Sequence, residues 1–141
     1  MDLNFNLLAL DVGESRVGLA TANSIAKMAS PLKTIQQTDD ILDDIQQIIS
    51  TENVRVVVVG LPRSLSGDET SQTKFSKDFS KKLSDKTGLH IFMEDEALSS
   101  VRAKEYLAQQ NKNYKKEDID SVAASFILND FMLNHPEVFN G

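Results

Sequence analysis

Three acidic side chains, far apart along the chain, end or border segments that a mixed β-sheet could bring together. Asp11 closes one apolar segment, Glu96 follows another, and Asp120 lies on a predicted C-terminal helix. Carboxylates gathered in one pocket repel each other and raise their pKa values unless a cation compensates. Mg²⁺ suits all-oxygen sites of this kind, and two such ions about 4 Å apart can activate a water and stabilise the leaving oxygen of a phosphodiester. The acids therefore predict a metal-dependent nuclease.

Each acid also has a simpler interpretation. An Asp before a Gly at a strand end is common in turns, and the helix dipole favours acids such as Glu94, Asp95 and Glu96 just before a helix. Asp120 could be an ordinary exposed helix acid, and Asp95 is the nearest rival to Glu96. On their own, the residue types and their periodicity predict a single α/β domain with a possible acidic site.

Three arginines are candidate contacts for a substrate phosphate, although an exposed surface position is the default explanation for any arginine. They are Arg16, Arg63 and Arg102. A guanidinium presents a rigid fork of donors that matches phosphate oxygens. We therefore predict that these three side chains bind substrate beside the acids.

The order of the apolar segments predicts a sheet with helices. The expected strands are residues 6–11, 16–21, 30–35, 54–60 and 89–93, and the expected helices are one capped by Thr38 and others near 70–86, 99–109 and 115–133. Pro31 places the third strand at an edge, and the β-branched fourth strand reads as parallel and buried on both faces. In the first turn we expect Gly13 to adopt a positive φ and Gly18 to leave room for a close backbone approach.

Composition limits the class of protein. The 141 residues predict one domain spanning 1–141. There is no cysteine, which excludes a disulfide framework, a thiol nucleophile and a Cys-ligated zinc site. Apolar runs are too short for a membrane helix, and the start is not typical of a secretory signal, so we expect a cytoplasmic protein. The net charge of −6 counts against tight, non-specific binding of nucleic acid.

Four motifs, in order, match one known family. They are Leu-Asp-Val-Gly-Glu-Ser-Arg-Val-Gly at 10–18, Val-Val-Val-Gly-Leu-Pro at 57–62 followed by Gly67, Asp-Glu-Ala-Leu-Ser-Ser at 95–100, and Asp-Ser-Val-Ala-Ala at 120–124. With these motifs the chain, from about residue 7 to 133, resembles the YqgF or RuvX family of Holliday-junction-resolvase-like proteins. Members of that family are proposed to be pre-16S rRNA nucleases.

The resemblance implies an RNase H-like fold, a five-stranded mixed sheet with helices on both faces. It implies that Asp11, Glu96 and Asp120 are catalytic and hold Mg²⁺ or Mn²⁺. The implied activity is hydrolysis of phosphodiester bonds in 5′-end processing of pre-16S rRNA during ribosome biogenesis. Structured RNA, DNA junctions and ribosomal precursor particles are the implied partners, for a monomer or weak homodimer. One departure is Ala97, where the family pattern has an arginine.

Three alternatives remain open at this point. The same acidic site could cleave DNA junctions, since its chemistry does not distinguish the two phosphate backbones. A non-catalytic ribosome-assembly or nucleic-acid-binding factor is favoured by Ala97 and by the acidic balance. An actin-like ATPase also carries Asp-x-Gly in its first hairpin, but that fold needs two such domains and this chain has room for one.

Overall fold

The computed structural model describes residues 3–62, 66–96, 99–110 and 113–140, without the side chains of residues 99 and 100. The strands are β1 (Asn6–Val12), β2 (Arg16–Asn23), β3 (Ser30–Gln36), β4 (Val54–Pro62) and β5 (Ile91–Glu96). The helices are α1 (Ile41–Thr51), α2 (Ser71–Thr87), α3 (Ser99–Gln109) and α4 (Lys116–Asn134), followed by a 3₁₀ turn at Pro136–Phe139. No described helix is long and apolar enough to cross a membrane.

The sheet is mixed and has the order β3-β2-β1-β4-β5. β1 lies at its centre, antiparallel to β2 and parallel to β4, and β5 extends the parallel half. The predicted edge position of the third strand and the predicted parallel pairing of the fourth are both observed. Because β1, β4 and β5 run in one direction, their carboxyl ends meet at one edge of the sheet.

Both faces of the sheet are covered, as the near-continuous apolar sequences of β1 and β4 require. Leu8 and Leu10 of β1 pack in one cluster with the apolar residues of α1 and α2. Leu7 and Ala9 point to the opposite face and pack in a second cluster with α4. The alternation of side chains along a strand then places Asp11 on the α4 face.

Helix α4 is buried on two sides, whereas the sequence predicted one buried face containing Ile119 and Phe126. Ile127 and the fully buried residues around it pack on the sheet. Val122 and Ala123 instead pack against α3, and Ile119 and Phe126 are only partly buried beside them. A single-stripe pattern is too simple here, because α4 contacts two neighbours in different directions.

Helix α2 is capped at both ends, whereas the start of α1 differs from the sequence prediction. Thr70 accepts from the Thr73 backbone N–H at 3.2 Å while the Thr73 hydroxyl accepts from the Thr70 N–H, and Gly88 ends α2 with φ 74°. The predicted cap Thr38 lies before a turn instead. The N-cap of α1 is Asp40, which makes no side-chain cap hydrogen bond.

We expect Thr70→Ala to lower the free energy of unfolding by about 1 kcal/mol, because it removes a reciprocal cap. Thr38→Ala is the matched control and should change it by less than about 0.5 kcal/mol. Urea denaturation of the two variants and the parent measures both values. Equal losses for the two variants would mean that the capping box contributes nothing specific.

Candidate active site

The β1–β2 hairpin is fixed by hydrogen bonds from three directions. The Gly13 N–H donates to the Arg16 carbonyl at 2.8 Å, and the side-chain amides of Gln72 and Gln37 donate to the carbonyls of Val12 and Gly13 at 2.7 and 3.0 Å. The expectation of a positive φ at Gly13 is wrong. Glycine suits this position because a Cβ there would lie 2.9 Å from the Arg16 carbonyl oxygen. The hairpin is therefore a rigid support for the residues beside it.

Gly18 allows α4 to lie against the sheet at the level of Asp11. It pairs with Asp11 across the β1–β2 ladder, and a Cβ at Gly18 would collide with the backbone carbonyl of Asp120 and the amide nitrogen of Ser121. The expected close backbone approach is thus observed, and the approaching backbone is that of α4. The missing side chain at Gly18 is what brings Asp120 beside the end of β1.

The last strand carries Glu96 to the same edge. β5 begins at Ile91, later than expected, and continues through Glu96, which pairs with Pro62 of β4. Glu94 and Glu96 point to the α4 face, where Asn134 donates to Glu94 at 2.8 Å. Asp95 points the other way and is exposed. Glu96 therefore has the orientation that a site shared with Asp11 requires, and Asp95 does not.

Asp120 and Glu96 both lie near enough to Asp11 to change its pKa. Burial, then repulsion from Asp120 and from Glu96, raises the pKa of Asp11 from 3.8 to about 7. Desolvation is the largest cause, because Asp11 lies at the end of the central strand under α4. Both neighbouring charges that act on it belong to the predicted site, so β1, β5 and α4 bring Asp11, Glu96 and Asp120 together.

Arg16 is part of this acidic site. Its Nε donates to Asp120 Oδ2 at 2.7 Å, and the two side chains are 29% and 20% exposed. This hydrogen bond and the attraction of Asp120 raise the pKa of Arg16. Among the predicted substrate contacts, Arg16 is the one that the described part of the chain brings to the acids.

An open cavity of about 380 Å³ lies beside this ion pair. Its lining comes from the hairpin and from the starts of α2 and α4, namely Gly13, Glu14, Ser15, Arg16, Gln72 and Asp120. The walls combine backbone, hydroxyl and amide groups with one cation and two acids. A cavity of this size and polarity can admit a phosphate group with its sugar.

Arg102, a second predicted substrate contact, lies elsewhere. Arg102 donates to Asp130 of α4 at 3.0 Å and stacks over the ring of Phe126 at 4.7 Å. Asp130 is ten residues beyond Asp120, or about 15 Å along the helix axis, so the structure does not bring Arg102 to the acids. Arg63 and Ala97 lie outside the described residues.

The acids suit a divalent cation in chemical type, because three carboxylates supply hard oxygen ligands and their repulsion would be relieved by positive charge. Their positions are not yet those of a closed site. Within residues 3–62, 66–96, 99–110 and 113–140, no three His, Cys, Asp or Glu side chains are close enough to hold one ion. Oδ2 of Asp120 is hydrogen-bonded to Arg16.

Sequence reasoning missed one residue beside the site. Gln72 braces the hairpin from the first turn of α2 and lines the cavity, but a glutamine at a helix start carries no recognisable signal. Glu94 is 7% exposed on the strand face of Glu96, but its partner Asn134 is the last residue of α4 and lies about 21 Å along the helix axis from Asp120.

The fold defines a class of protein, and solved structures with the same topology identify it as RNase H-like. Thermus thermophilus RuvC in complex with a Holliday junction substrate matches with a TM-score of 0.58 at 12% identity, covering 94% of this chain and 96% of that one. The Fowlpox virus resolvase with Holliday junction DNA matches with a TM-score of 0.51 at 11% identity, covering 97% and 100%. At such identities the likeness concerns the fold alone.

The chain belongs to the RuvX family, described as Holliday junction resolvase, which matches residues 5–134. A relative from Orientia tsutsugamushi (strain Ikeda) is 42% identical over 130 residues, covering 90% of this chain and 83% of its own. One from Sulfurihydrogenibium sp. (strain YO3AOP1) is 33% identical over 128 residues, covering 89% and 88%. Both are named "Putative pre-16S rRNA nuclease". Membership confirms the predicted family and the predicted enzyme class, a nuclease that hydrolyses phosphodiester bonds.

Proposed function

We propose that this protein is a divalent-metal-dependent endonuclease that cleaves structured RNA, with the 5′ end of pre-16S rRNA in ribosomal precursor particles as its substrate. The convergence of Asp11, Glu96 and Asp120 on one edge of the sheet carries the proposal, since their mutual repulsion calls for a cation. The names of the relatives support RNA as the substrate. We further propose that the protein acts in the cytoplasm.

Each residue of the site would have its own role. Asp11, Glu96 and Asp120 would hold Mg²⁺ or Mn²⁺, which when bound supplies a water of lowered pKa and neutralises charge on the phosphate. Asp11, on the central strand, has its backbone fixed by the braced hairpin. Arg16 would bind the phosphate from the cavity side. Rigid placement on β1, β5 and α4 favours catalysis, because strands and helices hold side chains more tightly than loops do.

Cleavage of four-way DNA junctions is the second candidate function. The description of the RuvX family favours it, and the acidic site would perform the same hydrolysis on either backbone. The proposed preference for RNA therefore has to be tested with both substrates in one assay.

The test is incubation of the protein with labelled pre-16S rRNA fragments and with labelled four-way DNA junctions, each with Mn²⁺, with Mg²⁺ and with EDTA. We expect cleavage of the rRNA fragment that requires divalent metal and is faster than any cleavage of the junction. Faster junction cleavage would favour the resolvase, and binding of the RNA without cleavage would favour a non-catalytic assembly factor.

We expect millimolar Mn²⁺ to raise the melting temperature of the parent protein by several degrees, because a cation that binds only the folded state stabilises it. The same addition should leave Asp120→Asn nearly unchanged, since that variant lacks one ligand and part of the repulsion. Differential scanning calorimetry measures both. An unchanged melting temperature of the parent would argue against a metal site.

A further inference from the structure

We propose that Arg16 is the resident counter-ion of the acidic site, and that it exchanges Asp120 for a substrate phosphate when the metal binds. The inference rests on the proposed function and adds a specific role for Arg16. In the free protein Arg16 neutralises Asp120, and in the loaded protein it acts as a positioning group for the nucleic acid.

The contact between Arg16 and Asp120 uses a small part of the guanidinium. It runs through Nε alone, at 2.7 Å from Oδ2, whereas a guanidinium offers five N–H donors. The remaining four are on the two terminal nitrogens. The side chain is 29% exposed, so these donors can reach a ligand without unfolding the site.

Oδ2 of Asp120 accepts the hydrogen bond from Arg16 Nε, so a metal ion held by the same carboxylate would lie close to the guanidinium. A cation near Asp120 would also be repelled by the guanidinium at short range. Because of this repulsion, metal binding and the Arg16–Asp120 ion pair oppose each other.

Once released from Asp120, the guanidinium of Arg16 can bind a ligand in the cavity. Arg16 lines the 380 Å³ space on one side, with Ser15 and Gln72 as further donors on its walls. Glu14, on the same wall, adds a negative charge that repels a phosphate. A phosphate that arrives with the metal can be held by the planar guanidinium fork.

Arg102 of α3 provides a matched control. Its ion pair with Asp130 is of similar length, 3.0 Å, and also joins an arginine to an acid of α4. It lies about 15 Å along the helix from Asp120. Replacing either arginine by glutamine removes one positive charge and one α4 ion pair, but only one of the two replacements acts next to the acids.

The experiment is titration calorimetry of MnCl₂ into the nucleic-acid-free protein, with the parent, Arg16→Gln, Arg102→Gln and Asp120→Asn. We expect Arg16→Gln to bind Mn²⁺ about tenfold more tightly than the parent, because a competing charge is gone. Arg102→Gln should stay within about twofold, and Asp120→Asn should bind at least tenfold more weakly.

A second measurement tests whether Arg16 contacts the phosphate of the nucleic acid. Fluorescence anisotropy with a labelled rRNA fragment, at a Mn²⁺ concentration too low for turnover, should show weaker RNA binding for Arg16→Gln than for the parent. Tighter metal binding together with weaker RNA binding is a combination that a purely structural ion pair would not produce. Circular dichroism spectra that match the parent exclude misfolding as the cause.

The outcomes separate the inference from the proposed function. If Asp120→Asn weakens Mn²⁺ binding while Arg16→Gln binds no more tightly than the parent, the exchange is overturned and the metal site stands. If RNA binding of Arg16→Gln equals that of the parent, the guanidinium does not reach the phosphate and the exchange is overturned as well. If none of the four proteins binds Mn²⁺, both the exchange and the proposed function are overturned.

Discussion

Asp11→Asn is expected to abolish cleavage and, in the metal-free protein at pH 8, to raise the melting temperature. The loss of activity should be at least a hundredfold, because asparagine keeps the shape of the side chain but removes the charge that binds a cation. The gain in stability has a different origin. It comes from removing a carboxylate that is held ionised against burial and against two neighbouring acids.

The sign of the stability effect follows from the raised pKa. In the unfolded chain Asp11 titrates near 3.8, and in the folded protein its pKa is about 7. The folded state therefore holds this proton more tightly, and the associated stability is fully present below pH 4 and lost as the pH rises through 7. The difference between the two pKa values corresponds to roughly 4 kcal/mol at pH 8.

Thermal unfolding of the parent and Asp11→Asn between pH 5 and pH 8, in EDTA, measures this effect. The parent should lose stability relative to the variant as the pH rises, and the variant should be several degrees more stable at pH 8. Parallel pH dependences for the two proteins would mean that Asp11 is exposed to solvent and is only a turn residue.

Gly18→Ala should have the largest effect on the fold. A methyl group at this position meets the backbone of Asp120 and Ser121, and backbone atoms of a helix cannot rotate away as a side chain can. Helix α4 must move off the sheet, which opens the cluster around Phe131 and separates Asp120 from Asp11. We expect a loss of at least about 3 kcal/mol in the free energy of unfolding, together with loss of cleavage.

Gly60→Ala is the control for Gly18→Ala. Its added methyl group would meet the end of the Ile127 side chain and approach Glu96 Cγ to 3.4 Å. A side chain can adopt another rotamer, so we expect a smaller loss, about 1–2 kcal/mol. Urea denaturation of both variants measures the difference. A smaller loss for Gly18→Ala than for Gly60→Ala would show that α4 is not held against the sheet at Gly18.

The parts of the fold that could be predicted from sequence are those with a strong local pattern. The β-branched run at 54–60 predicted a buried parallel strand, and Pro31 predicted the edge position of the third strand, because each signal depends on a few adjacent residues. The end of β5 could not be read in this way. Three consecutive acids look like a solvated segment, and only their pairing with β4 shows that Glu94 and Glu96 belong to the strand.

The residues of the site can also be divided into those with a local sequence signal and those without one. Asp11 and Gly18 could be assigned from the first hairpin, where strand, turn and glycine occur together in one short segment. The approach of Asp120 to Gly18 and its bond to Arg16 join positions more than 100 residues apart. No spacing rule predicts such contacts, so Arg16 and Arg102 were equal candidates until the path of α4 was known.

The most direct test of the metal-dependent site is a single-turnover comparison of conservative variants on a labelled pre-16S rRNA fragment in Mn²⁺. The variants are Asp11→Asn, Glu96→Gln, Asp120→Asn and the double variant Asp11→Asn/Asp120→Asn. If the acids act as one unit, each single variant loses at least about a hundredfold in rate, and the double variant is no more than about tenfold slower than the slower of its two parent singles. Cleavage within tenfold of the parent by any single variant would contradict a site built from these three carboxylates.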